Sequence, residues 1–95
     1  ASELYKRQGF PSSETASPAD EHLKNLIWET LESWLQELPP EQRSVFELNE
    51  LEGIPFREIS ESTGVPINTL LSRKRYAILH LRDRLADLYR DLIDP

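Results

Sequence analysis

Two helical patterns meet at Gly64, and the short turn between them constrains the fold of this chain more than any other feature. The stretch 56–70 carries an inward Ile59 before the glycine and an inward Leu70 after it. Glycine suits the turn because a positive φ costs a residue with a β-carbon roughly 1 kcal/mol or more. Val65 follows at once and provides an apolar plug between the two segments. The stretch therefore predicts a helix-turn-helix.

Prolines and a second glycine mark the ends of the preceding helices. The pair Pro39 and Pro40 stops a first helix that begins near Asp20, its predicted N-cap. Pro40 also suits the first turn of a second helix, where its missing N–H costs nothing. Gly53 is placed to end that second helix with a left-handed residue.

Apolar residues recur at spacings of three and four in the first and last helical segments, which places them on one helix face. A short third helix is predicted from about 55 to 63, and a long fourth helix from about 67 to 93. The two stripes are Leu23, Ile27, Leu31, Leu35 and Leu38 in the first helix and Leu70, Ile78, Leu81, Leu85, Leu88 and Leu92 in the last. The last helix would approach roughly 40 Å, longer than the core of a domain this small needs, so its far end is expected to be free or to contact a partner. The predicted architecture is an all-α, four-helix domain that contains a helix-turn-helix and a long C-terminal recognition helix.

Length and N-terminal composition indicate one domain preceded by an arm. The 95 residues suffice for one compact domain and not for two. Residues 1–20 combine Gly9, Pro11 and Pro18 with many small polar residues, so we expect a linker or flexible arm. Residues 21–95 are predicted to form the helix-turn-helix domain. Because the chain contains no methionine, we expect it to be excised from a longer protein.

Composition also argues against several chemistries. The chain has no cysteine, which excludes disulfides and thiolate metal sites. His22 and His80 lie far apart in the sequence without a carboxylate at zinc-ligand spacing, so we expect no metal, no cofactor and no enzymatic site. Glu29, Glu32 and Glu37 are interpreted as the hydrated face of the first helix, and His80 as a surface residue. No apolar run approaches the roughly 20 residues that span a bilayer, so a soluble, cytoplasmic protein with no membrane contact is expected.

Charge is distributed unevenly along the chain. The net charge of −6, taken as an average, argues against binding a polyanion. From Glu14 to Ser62, twelve acidic residues oppose three basic ones, whereas from Ile67 to Arg84 five basic residues oppose one acidic residue. A duplex responds to the nearby charges, because salt screens charges beyond about 8–10 Å. The basic segment therefore favours DNA binding, and the acidic part fits either a basic protein partner or an ordinary solvated face.

The side of the fourth helix opposite its apolar stripe carries groups that suit DNA. A helix-turn-helix projects the first turns of its second helix into the major groove. Asparagine pairs with adenine, arginine with guanine, and serine bonds either. The predicted base-contacting residues are Asn68, Leu71, Ser72, Arg75 and Tyr76. Thr69, Arg73 and Lys74 flank this face and are predicted to contact phosphates.

A resemblance to a known family runs through the same region. The residues that carry it are LPPEQRSVF at 38–46, ELEG at 50–53, Glu58-Ile59, Gly64-Val65-Pro66 and TLLSR at 69–73. In this order and spacing they resemble region four of sigma-70-family factors, and most of all the extracytoplasmic-function group. The resemblance covers roughly 35–85, which is more than half of the chain.

The resemblance implies a bacterial, nucleoid-associated transcription initiation factor. Its domain is expected to read the minus-thirty-five element of double-stranded promoter DNA and to bind the flap of the β subunit of the RNA polymerase core. Carried over by position, base contacts fall on Leu71, Ser72, Arg75 and Tyr76, and backbone contacts fall near Arg43, Thr69 and Arg73. An anti-sigma factor is a further expected partner, and the isolated domain is expected to be a monomer.

Three positions depart from the family pattern. Leu71 stands where a basic residue is usual, so its contact is expected to become apolar, for example with a thymine methyl group. Lys74 stands where an apolar residue is usual, and its aliphatic stem is expected to cover the gap. Pro55 replaces a usual serine or threonine cap. These departures bear on the promoter sequence more than on the fold.

Two other functions fit the same pattern. A stand-alone transcriptional regulator would carry the same domain and would dimerise, with the exposed end of the last helix as the candidate seam. A protein-interaction module would have kept the fold and lost DNA binding, which the acidic surface and Leu71 favour.

Overall fold

A computed structural model of the chain describes residues 18–93, and its regular structure is helical. The helices are α1 (Pro18–Leu35), α2 (Pro40–Phe46), α3 (Phe56–Thr63) and α4 (Ile67–Ile93), and a π-helical turn (Glu47–Leu51) follows α2 directly. The predicted all-α, four-helix architecture with a long last helix is confirmed. Most of the predicted arm, residues 1–17, lies outside the described residues. Between residues 18 and 93, no helix is both long and apolar enough to cross a membrane.

The first helix begins earlier than its pattern indicated. It starts at Pro18, and Asp20 and Glu21 lie within its first turn. The prediction that Asp20 is the N-cap is therefore wrong. An acidic residue one turn inside the helix still interacts favourably with the helix dipole. Proline has a backbone φ that suits the start of a helix, which explains the earlier beginning.

A π-helical turn widens the chain path between α2 and α3. The amide of Glu52 donates to the carbonyl of Glu47 (3.0 Å), which is the five-residue spacing of a π turn. Gly53 follows with φ 73°, so the predicted left-handed glycine is confirmed. The π turn itself was not predicted, because it leaves the apolar spacing of the segment nearly unchanged.

The turn between α3 and α4 has the predicted geometry. Gly64 caps α3 with φ 76° and ψ 6°, and its amide donates to the carbonyl of Ser60 (2.8 Å). The hydroxyl of Thr63 donates to the carbonyl of Ile59 (2.6 Å) and accepts from the amide of Val65 (3.3 Å). The chain thus turns from α3 into α4 with these polar groups paired, as a helix-turn-helix requires.

Two small apolar clusters hold the helices together. Each is built around α2, which gives Phe46 to one cluster and Val45 to the other. The buried members are Leu35, Leu38, Phe46 and Ala77 in the first cluster, and Val45, Ile59 and Leu70 in the second. Because Leu70 and Ala77 lie two turns apart on one side of α4, the clusters fix the first half of that helix against α2 and α3.

The outer parts of the two long helices are not buried, which agrees with the expectation for the far end of the last helix; the apolar stripe of the first helix is covered only in its last turns. The N-terminal half of α1 and the C-terminal half of α4 extend beyond the clusters, and nothing else within residues 18–93 covers them. In the middle of α4, Ala77 takes the fully buried position, so the neighbouring isoleucine turns outward. The exposed members of the predicted stripes are Leu23 (57%), Ile27 (59%), Ile78 (36%), Leu85 (58%), Leu88 (39%) and Leu92 (73%).

Candidate nucleic-acid interface

The first three turns of α4 present the predicted base-contacting side chains to solvent. At 3.6 residues per turn, these five positions fall within an arc of about 140° centred opposite Leu70. All five are exposed, and the leucine and the tyrosine, Leu71 and Tyr76, expose 46% and 59% of their surface. The full set is Asn68, Leu71, Ser72, Arg75 and Tyr76. Thr69 and Arg73 lie half-buried at one border of this face.

The positive charge left without an ion-pair partner is concentrated in the helix-turn-helix. Four arginines, namely Arg57, Arg73, Arg75 and Arg82, make no ion pair with any other residue of 18–93. All four belong to α3 or α4, whereas α1 is predominantly acidic. Unneutralised cations on one element of an acidic chain create a local positive field that can attract phosphates.

Arg57 and Arg82 were missed as candidate DNA contacts. Arg57 lies in the first turn of α3, and the first helix of a helix-turn-helix crosses the DNA backbone. The position of Arg57 in this first helix could therefore have been recognised from the sequence. Arg82 lies nearly two turns beyond Tyr76, and in the structure it is exposed and makes no ion pair with any other residue of 18–93, whereas Arg84 pairs with Glu37.

Arg43 retains free donors although it is already paired. Its Nε lies 3.5 Å from Oε1 of Glu47, and one terminal nitrogen donates to Oε1 of Gln36 (3.1 Å). A guanidinium has five N–H donors, so this arginine can still reach a phosphate. Arg73 lines a groove of about 290 Å³ whose other wall includes Ser44 of α2.

Lys74 is an exception among the predicted phosphate contacts. Its ammonium group is held by Asn49 and Glu50 of the π turn, and only 18% of its side chain is exposed. The structure therefore directs this cation into the protein and does not support the predicted phosphate contact. The expectation that the stem of Lys74 covers a gap agrees with its packing beside Phe56.

An apolar groove of about 400 Å³ runs along one border of the base-contacting face. Phe56 of α3 forms one wall, and Leu71, Ile78 and Leu79 of α4 form the other. Arg75 also lines this groove. An exposed leucine beside an unpaired arginine offers an apolar contact and a hydrogen-bond donor within one helical turn.

A second cluster joins the end of α1 to the middle of α4. Nε2 of His80 donates to Oε1 of Glu37 (2.8 Å), and Nε of Arg84 lies 3.2 Å from the same oxygen. The Arg84 contact is an ion pair whose direction is unsuited to a hydrogen bond, and its guanidinium lies 5.7 Å from the ring centroid of Trp34. Glu37 is exposed, as interpreted, but it lies beyond the end of α1, where the chain turns and directs this carboxylate at α4.

An apolar cleft lies between the outer parts of α1 and α4. It has a volume of about 320 Å³ and is lined by Leu26, Ile27, Thr30, Leu31, Trp34, Leu85 and Leu88. Acidic side chains predominate on the exposed surface of α1 beside it, among them Glu29 and Glu32, whereas acidic and basic residues alternate on this part of α4. This cleft is on a different part of α4 from the base-contacting face.

The turn, the exposed face and the unpaired arginines together define a helix-turn-helix DNA-binding domain. The profile of the family described as Sigma-70, region 4 matches residues 28–81, more than half of the chain, so the chain belongs to that family. It is thus a DNA-binding domain of a bacterial sigma factor that acts in promoter recognition together with RNA polymerase. The family is one of transcription domains and is not a known enzyme family.

Proposed function

We propose that this domain reads the minus-thirty-five promoter element with the exposed face of the first turns of α4, as part of a sigma factor of the extracytoplasmic-function type. The observation that carries the proposal is the position of five exposed base-reading side chains on the helix that also holds Arg73, Arg75 and Arg82 without ion pairs. The protein would act on the nucleoid in the bacterial cytoplasm.

Each side chain of this face has a chemistry that suits one kind of contact. Arg75 can donate two hydrogen bonds to guanine, Asn68 can pair with adenine, and Ser72 can bond either base. Leu71 lies in the apolar groove beside Arg75 and suits a thymine methyl group, and Tyr76 adds a hydroxyl at the other border. The proposed phosphate contacts are Arg43, Thr69 and Arg73, to which we add Arg57 and Arg82.

Recognition by this domain alone is expected to be weak. A single helix-turn-helix module buries about 600–1,000 Å² on DNA, so its intrinsic affinity is modest. When RNA polymerase holds the domain beside a promoter, the effective local concentration supplies the remaining affinity. The domain therefore needs a polymerase-binding surface that is separate from its DNA face.

We propose that the apolar cleft between α1 and α4 is this surface and that it receives the β flap. An apolar cleft between two helices fits an amphipathic helix, whose apolar side chains would bury the surface that Leu26, Ile27 and Leu85 leave exposed. The acidic surface of α1 beside the cleft favours a helix that carries basic residues on the flank facing α1. An anti-sigma factor that covered the cleft would block polymerase binding and leave the DNA face free.

The DNA proposal is tested with a duplex selected by the chain from a randomised library. Arg75→Ala is expected to remove about 1–3 kcal/mol of discrimination at one base pair, whereas Arg73→Ala weakens binding to all sequences alike. Arg90→Ala is the matched control, because it removes the same charge from the same helix about 22 Å away. If Arg75→Ala weakens binding equally across all single-base variants of the duplex, Arg75 does not read a base.

The polymerase proposal is tested with two matched leucine substitutions. Leu85→Asp places a charge in the cleft, and Leu92→Asp places the same charge on an exposed part of α4 outside it. Leu85→Asp is expected to weaken capture of the chain by RNA polymerase core and by the isolated β flap, and both variants should bind the selected duplex normally. Equal capture of both variants would exclude the cleft.

The oligomeric state separates this proposal from a stand-alone regulator. A sigma domain that depends on polymerase for affinity is expected to sediment as a monomer. A dimer whose formation is lost in Leu92→Asp would instead favour a regulator that dimerises through the end of α4.

A further inference from the structure

The charge of Lys74, in the recognition helix of the helix-turn-helix, is neutralised by the π turn. Its Nζ donates to Oδ1 of Asn49 (2.5 Å) and to Oε2 of Glu50 (2.8 Å). The same nitrogen lies 5.6 Å from the centroid of the Phe56 ring, at the start of α3. An ammonium group has three donors, of which two are occupied and the third side is covered by an aromatic face. The cation is therefore satisfied within the protein.

Asn49 extends this contact to a third part of the chain. While its carbonyl oxygen accepts from Lys74, its amide nitrogen donates to the carbonyl of Ile54 (2.9 Å), in the loop that leads into α3. One asparagine thus joins the recognition helix to the loop before the first helix of the motif. Phe56 adds a contact from α3 itself. The lysine, the asparagine, Glu50 and the ring form a latch between the π turn, α3 and α4.

The latch contacts the same turns of α4 that carry the base-contacting face. Its lysine is flanked directly by Arg73 and Arg75, which point to other sides of the helix. The apolar contacts of Leu70 and Ala77 hold α4 against α2 and α3, yet apolar packing tolerates small rotations of a helix about its axis. Directional hydrogen bonds from one lysine to two consecutive residues define that rotation more tightly.

We propose that Lys74 is a positioning residue for promoter recognition: with Asn49 and Glu50, it sets the rotation of α4 so that Arg75 and its neighbours face the bases, and it does not contact phosphate. This inference rests on the proposed DNA function. Lys74 departs from the family pattern, and the proposal gives it a role in sequence discrimination that it exerts through other residues.

The test compares Lys74→Met, which keeps the length of the side chain and removes its charge, with Arg73→Met as the matched control. Affinities of the full chain for the selected duplex and for an unrelated duplex are measured over a range of salt concentrations, well below the melting temperature of each variant. Lys74→Met is expected to weaken binding to the selected duplex about tenfold, a coupling of about 1.4 kcal/mol, and to leave the unrelated duplex and the salt slope unchanged. Arg73→Met is expected to weaken both and to reduce the slope by about 0.9.

Two further variants separate positioning from stability alone. Lys74→Arg keeps a cation near both acceptors and should recover most of the preference for the selected duplex. Glu50→Gln should reduce the preference, and the double variant Lys74→Met with Glu50→Gln should be no worse than Lys74→Met alone. A lowered melting temperature with an unchanged ratio of the two affinities would overturn the inference, as would a salt slope that falls in Lys74→Met as it does in Arg73→Met.

Hydrogen exchange of the free chain tests the latch independently of the proposed DNA function. If the wild-type chain binds both duplexes equally, the proposed DNA function has failed and the affinities say nothing of the latch. In that case, faster amide exchange of residues 47–54 and 71–78 in Lys74→Met than in the wild type supports the latch. Unchanged exchange in both stretches refutes it, whatever the DNA result.

Discussion

Replacing Gly64 tests whether the turn of the motif depends on backbone conformation alone. The residue has φ 76°, and a β-carbon built there would meet no atom within 4 Å. Gly64→Ala therefore costs the left-handed conformation of an alanine, roughly 1–2 kcal/mol, and adds no steric clash. Since about 1 kcal/mol shifts the melting temperature of a domain of this size by about 4–8 °C, we expect a decrease of about 4–16 °C.

Gly64→Asn distinguishes the conformational cost from a steric one. Asparagine adopts the left-handed region more readily than alanine, although its side chain is larger. Melting curves of the three chains, followed by circular dichroism, should rank glycine above asparagine and asparagine above alanine. An asparagine variant less stable than the alanine variant would show that space limits this turn, and an unchanged alanine variant would refute the role of φ.

Two further predictions concern the packing of α4. Ala77→Leu should lower the free energy of unfolding by about 1–3 kcal/mol, because residue 77 is fully buried. Ala86→Leu, on the exposed side of the same helix, should change that free energy by less than about 0.5 kcal/mol. Urea midpoints compare the two variants if their m-values are equal, and equal losses of stability would contradict the burial of residue 77. Glu37→Gln should cost no more than about 1 kcal/mol for the lost ion pair with Arg84, and the loss should shrink in 1 M salt. A loss that is independent of salt would indicate that packing, and not charge, holds this corner.

The helix boundaries were predictable because local chemistry determines them. Two prolines can interrupt a helix wherever they occur, and a glycine that must take positive φ has few other uses at the end of an apolar pattern. Pro39, Pro40, Gly53 and Gly64 therefore located three helix ends within a few residues. Asp20 shows the limit of this reasoning, since an acidic residue suits both the N-cap and the first turn.

Burial was predictable only where the two clusters form. Periodicity identifies one apolar side of a helix, and it does not indicate whether another element covers that side. Leu35 and Leu70 are buried as expected, while Leu23 and Leu92 belong to the same stripes and are exposed. Because both helices continue beyond the clusters, the same pattern produces core at one end and an open cleft at the other.

The partners of the charged residues could not be predicted from local sequence. Lys74 resembles its basic neighbours in composition, yet its acceptors are 24 and 25 residues away in the chain. Arg75 is the next residue of the same helix, yet it has no acidic partner within 18–93. A cation's role thus depends on where the fold brings the acids, and only a structure can distinguish a solvent-facing arginine from a neutralised lysine.

The most direct test of DNA reading by α4 is a titration of the isotope-labelled chain with the selected duplex, followed residue by residue by NMR. We expect the largest amide and side-chain shifts at residues 67–76, smaller shifts near Arg43 and Arg57, and none in the first three turns of α1. Shifts concentrated in the cleft between α1 and α4, with residues 67–76 unchanged, would contradict the account.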